Sequence, residues 1–182
     1  MSLAGEGGSI PAWFERRFQS DFPATLLPNI LTRLRGTPAR LDEVLGGQGR
    51  EALMRKPEGK WSAQEQAGHL LQLEPLWLAR VNDYAGGSAG LTPTDLANAA
   101  TDAAGYNAQP LPDILAGFRS ARRSLLEAVQ RLDPALGSRA LPHPRLGTPF
   151  RLVDHLYFVA EHDDHHLARI WELLHLDPAT PP

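Results

Sequence analysis

No cysteine occurs anywhere in the 182 residues. That excludes disulfides, thiolate metal ligands and a cysteine nucleophile, and it fits a reducing compartment. Lysine is nearly as scarce, since Lys56 and Lys60 are the only two among 18 basic residues. Acidic residues number 21, for a formal charge of −3. The chain therefore lacks the basic excess on which nucleic-acid binding relies, and no nucleic-acid partner is expected. No run of about 18 apolar residues is present to span a bilayer, so no membrane segment is expected. Residues 1–9 are glycine-rich and lack a charged stretch followed by an apolar one, so they do not read as a signal peptide. A cytoplasmic protein is the expectation.

What is present is helical periodicity. Hydrophobic residues make up 42% of the chain, enough for one packed core. Four segments carry apolar residues at helical spacing between Gly/Pro-rich breaks. The first spans Thr25 to Leu45, with Gly36 and Pro38 as candidate breaks. The second opens at Ser62, where Ser62-Ala63-Gln64-Glu65 forms a capping box, and runs to Tyr84 with a kink expected near Pro75. The third spans Pro112 to Leu132. The last begins at Thr148 as N-cap with Pro149 behind it and continues to Leu174. No strand-like alternation stands out. Residues 1–24 form an N-terminal segment with a short helix around Trp13 to Phe18, residues 25–175 the bundle, and residues 176–182 a tail. The connection from Gly86 to Pro110 is long for a compact bundle, and such connections usually carry function.

Histidines border the apolar faces of two of these helices. On the last helix, His162 and His166 lie within about 40° of each other on a wheel, beside the stripe of Leu152, Leu156, Val159 and Ile170. An i, i+4 pair lets one helix give two imidazoles to one ion. Taken alone the pair is a weak signal and more often marks a solvated polar face than a metal site. His165 falls on the polar side, among Asp154, Glu161 and Glu172. On the second helix, His69 borders Leu70, Leu73, Trp77 and Val81, as a core histidine would or as a third ligand would. Asp163 sits mid-way across the last helix's apolar face, where an unpaired carboxylate is costly. It is expected either to accept from a ligating imidazole or to mark a local break in packing or an oligomer contact. His155 reads as a core residue or as one supporting a ligand, rather than as a ligand itself, and His143 and His175 carry no assignment.

The stretch Trp61-Ser62-Ala63-Gln64-Glu65-Gln66-Ala67-Gly68-His69-Leu70, followed by Glu74 and Arg80, resembles the second-helix motif of the DinB/YfiT-like family. His162-Asp163-Asp164-His165-His166-Leu167-Ala168-Arg169-Ile170 resembles its last-helix motif, and Phe118, Arg122 and Leu126 match the helix between. The resemblance covers Leu26 to Leu174. It implies an all-α four-helix bundle with one long crossover connection, often a homodimer, and a metal held near one end by His69, His162 and His166. Members of the family include transferases using low-molecular-weight thiols, a thiol-dependent isomerase and hydrolases. Arg169 departs from the pattern, since many members carry glutamine there.

Three neutral imidazoles would leave a divalent ion positions open to water or substrate. Zinc suits that donor set, with nickel, iron and manganese as alternatives. Three readings follow. The first is a transferase in which the ion activates a low-molecular-weight thiol, with Arg80 or Arg169 binding its anionic groups. The second is a hydrolase using a metal-bound hydroxide, with Asp163 or Glu65 moving protons. The third is a bundle without catalytic activity. A small-molecule substrate is the expected partner in the first two.

Overall fold

The computed structural model describes residues 10–19, 22–56 and 59–175. The expected tail over 176–182 and the glycine-rich residues 1–9 lie outside the described residues. Four long helices form the bundle: α1 (Leu27–Leu45), α3 (Ala63–Ala85), α5 (Leu111–Arg131) and α6 (Leu152–His175). Two one-turn helices, α2 (Arg50–Met54) and α4 (Ala99–Ala103), lie in the connections. The four-helix bundle expected from the sequence is thus present. No described helix is long and apolar enough to cross a membrane.

The α3 N-terminus follows its sequence signal. Ser62 accepts from the Glu65 backbone N–H and the Glu65 side chain accepts from the Ser62 N–H, completing the capping box. The expected break in α1 is absent, since the helix runs on through Gly36 and Pro38, and α3 continues as helix through Pro75. Tertiary packing overrides the local penalty here, for Leu34, Pro38 and Leu41 of α1 and Glu74 and Trp77 of α3 are all buried.

The start of the last helix needs correction. Pro149–Arg151 is a strand, β2, paired antiparallel with β1 (Ala140–Pro142), and α6 begins only at Leu152. Phe150 faces Leu141 in this hairpin and both are buried. The Asp154 carboxylate accepts from the Arg151 N–H and guanidinium, fixing the helix start at Leu152, four residues after the expected N-cap Thr148. A hydrogen bond to the freed first turn outweighed the Thr-Pro signal.

The crossover between α3 and α5 is anchored at Tyr106, among other contacts. A Cβ at Gly68 would lie 2.1 Å from the Tyr106 ring, so only glycine lets that ring lie flat on α3. Gln64 donates to the carbonyls of Tyr106 and Gln109, and the Tyr106 hydroxyl donates to Gln72. These bonds hold α4 against the N-terminal half of α3, beside His69.

Candidate metal centre

Two buried polar clusters share helices α3 and α6. The first is ionic. Arg122 of α5 donates to both Glu74 oxygens and to Asp163, and also to the Leu34 carbonyl. Thr37 donates to the same Asp163 carboxylate at 2.8 Å. All three charged side chains are at most 1% exposed. Burial opposes the charge on Arg122, but Asp163 and Glu74 outweigh it and push its pKa up. Burial raises that of Glu74 against the pull of Arg122. The network corrects the role expected of Asp163. Its oxygens go to Arg122 and Thr37, not to an imidazole, because α5 brings a guanidinium to the face that the wheel of α6 alone left uncovered.

The second cluster is the histidine set. One ring nitrogen from each of His69, His162 and His166 lies within 4.8 Å of the others, and all three side chains are buried. His162 and His166 stand one turn apart on α6 with Nε2 atoms 3.1 Å apart. Two bonds of 2.0–2.1 Å to one zinc ion span about 2.9–3.4 Å between nitrogens, so this spacing suits a shared ion. His166 Nδ1 donates to the Gln66 amide oxygen at 2.5 Å, which leaves its Nε2 with a free lone pair. His69 Nδ1 is 2.9 Å from the Thr101 hydroxyl of α4, leaving its Nε2 toward the other two rings. His162 Nδ1 is buried with no hydrogen-bond partner among the described residues.

Burial keeps these rings neutral, as metal ligands must be. It pulls the His69 pKa down to about 4 against the opposing charge of Asp102, and those of His162 and His166 well below the usual imidazole range, where the neighbouring imidazoles add to the effect. Trp61 lies against His69 with ring centroids 4.6 Å apart. The cluster opens on a cavity of about 1150 Å³ walled largely by aromatic and aliphatic side chains.

A model of the DinB superfamily matches residues 33–170, which span the bundle and all three histidines. The chain belongs to the DinB superfamily. Among solved structures it resembles YfiT from Bacillus subtilis, described as a probable metal-dependent hydrolase with an unusual four-helix bundle topology. The two share 17% identity at a TM-score of 0.72, over 87% of this chain and 91% of that one. At that identity the likeness concerns the fold. No curated protein matches the sequence.

The other candidates from the sequence fall as follows in this superfamily member. Arg80 and Arg169 both line the cavity. Arg169 pairs with Glu172 and donates to the Ile10 carbonyl. Glu65 is taken up by the capping box and by Lys56, which leaves it no free oxygen aimed at the histidines. His165, expected on the polar side, is buried, with its ring 5.6 Å from that of Trp13. The wheel describes only α6 itself, whereas residues 10–19 lie across that side, held by Arg16 to Glu161 and Ile10 to Glu172. His165 is not in the ligand group.

Gln66 and Thr101 were missed. Gln66 was legible in principle, standing one turn before His69 on the same face of α3. Thr101 was not, because its reach to His69 depends on how the crossover folds back.

Proposed function

We propose that the chain is a divalent-metal-dependent enzyme acting on a small molecule in the aromatic cavity, with His69, His162 and His166 as the ligands. The convergence of three neutral imidazoles at the floor of that cavity carries the reading. Zinc is the favoured ion for such a donor set, and with no carboxylate or thiolate ligand its full positive charge would be left to act on a bound molecule. Bound there, the ion supplies a Lewis acid that lowers the pKa of a thiol or water it contacts.

The protein's own groups do the rest. Gln66 and Thr101 fix the ring orientations of His166 and His69 through Nδ1. Trp61, Trp77 and Trp13 pack around the imidazoles and exclude water from one side. Asp163 and Glu65 are both committed elsewhere, so neither is free to take a proton at the site. Transfer of a low-molecular-weight thiol to an electrophile needs no such base once the thiolate is formed, and we favour that chemistry. Arg169 and Arg80 in the wall suit an anionic cofactor or substrate. Hydrolysis is the second reading, favoured by the description of YfiT.

Elemental analysis of the purified protein should give one equivalent of a divalent metal per chain. The loaded protein should then accelerate conjugation of monochlorobimane with one cellular thiol over others and lose that activity on chelation. Ester or amide turnover without thiol would favour hydrolysis, and a metal-free preparation that cannot be loaded would overturn both.

A further inference from the structure

A second group of side chains in the cavity wall has donors without acceptors. Arg80 on α3 is 1% exposed. Its Nε donates to the Thr92 carbonyl at 2.8 Å, and its Nη1 lies 3.3 Å from His143 Nε2. No carboxylate among the described residues pairs with it. Asp83, the nearest in sequence, accepts from Ser88 and from the backbone and hydroxyl of Thr92. His143 sits in the hairpin turn after β1, 2% exposed. Its Nδ1 accepts from the backbone N–H groups of Arg145 and Leu146, at 3.3 and 3.4 Å. A neutral imidazole that accepts at Nδ1 carries its proton on Nε2. The Nε2–H therefore points at a guanidinium: two donors face each other with no acceptor between them. Arg145 Nη2 is buried and has no partner either.

Donors left open in this way are costly unless an acceptor arrives. Burial lowers the pKa of Arg80 to about 10, and burial with both arginines lowers that of His143 to about 3, in keeping with uncompensated positive charge. The wall leading away from the group is apolar. Phe158 lies 5.0 Å from the His143 ring and 6.3 Å from Trp77, and Trp77 lies 5.5 Å from His162. Phe158 stands one turn before His162 on α6, so the aromatic wall bridges the gap between the open donors and the histidines.

We propose that Arg80, His143 and Arg145 form a subsite for the carboxylate of an organic acid, whose apolar body lies along Phe158 and Trp77 toward the three histidines. The two oxygens of a carboxylate offer about four lone-pair directions, enough for all three donors, and the aromatic wall fits the remainder of such a molecule. The substrate class is thus an amphipathic, singly charged organic acid whose apolar body is long enough to reach from the carboxylate to the histidines. This assignment rests on the cavity being the substrate site, as proposed above.

The probe is 3-phenylpropionate, titrated by calorimetry and by tryptophan fluorescence against the full chain, metal-loaded and stripped with EDTA. Saturable binding is expected in both forms. Arg145→Gln, at a half-buried position, should weaken it roughly tenfold or more, as should changing the probe to 3-phenylpropionamide. Arg80→Gln serves as a second variant, its folding checked by circular dichroism. Binding that survives Arg145→Gln and Arg80→Gln but vanishes with the metal or in His162→Phe would place the acid on the ion and overturn the subsite. Inorganic phosphate competing as well as 3-phenylpropionate would overturn the apolar part of the assignment. Acid binding in a protein that takes up no metal would uphold the subsite and overturn the metal centre, so the two proposals fail separately.

Discussion

The Glu74–Arg122–Asp163 network and the His69–His162–His166 cluster are both buried and polar, and both are built on α3 and α6. They differ in how they are closed. In the network every charge has a partner within the protein: Arg122 spans two carboxylates, and Thr37 and the Leu34 carbonyl take up further hydrogen-bonding capacity. In the cluster the hydrogen bonds stop at Nδ1 of two rings, and the inward nitrogens meet only one another. A closed buried network holds helices in register, and an open one is a place for something else to bind. The donors around His143 follow the second pattern.

A crossed pair of substitutions tests this contrast and should give the largest effects. Arg122→Met leaves two carboxylates buried without their cation and should lower stability by about 3–5 kcal/mol, read from urea unfolding of the metal-free protein. His162→Phe keeps an aromatic ring at the position and removes a buried nitrogen that has no partner. It should abolish tight metal binding while leaving the metal-free protein as stable as before or more so. If the two variants lose stability alike, the contrast between closed and open clusters does not hold.

A smaller effect should come from the groups that orient the imidazoles. Gln66→Ala removes the acceptor of His166 Nδ1, and metal affinity should fall by roughly 10–100-fold with the metal stoichiometry retained at saturation. Competition against a chromogenic chelator measures this directly. Unchanged affinity would mean that Gln66 merely fills space.

The neutral state of the buried rings sets a pH dependence. Burial lowers the pKa of His155 well below the usual value, and that of His143 to about 3. In the unfolded chain both return to about 6.5. Below that pH the unfolded state takes up protons that the folded state refuses, so stability is full above about 6.5 and declines as pH falls toward 3. Unfolding midpoints of the metal-free protein at pH 7.5 and pH 5 should differ in that direction, with a smaller difference in His155→Phe. An equal drop in that variant would move the cause away from His155.

The smallest effect is expected at His165. Although buried and close to the cluster, it is outside the ligand group and packs on Trp13. His165→Ala should leave metal affinity nearly unchanged in the same chelator assay. A loss matching that of His162→Phe would redraw the ligand set.

The sequence by itself determined the four helices, the capping box at Ser62 and Glu65, and the faces on which His69, His162 and His166 stand, because these follow from spacing along one chain segment. It also flagged Asp163 as a buried carboxylate in need of a partner. Which partner it has was decided between helices: α5 delivers Arg122, a choice no wheel of α6 contains. The same holds for Thr101, which reaches His69 only because Tyr106 lies flat on Gly68, and for His165, covered by a segment some 150 residues away in sequence. The hairpin that displaced the start of α6 depends likewise on Phe150 meeting Leu141. Periodicity reports the surface that each helix offers, whereas the hydrogen bonds that close or leave open a buried group depend on what the rest of the chain brings to that surface.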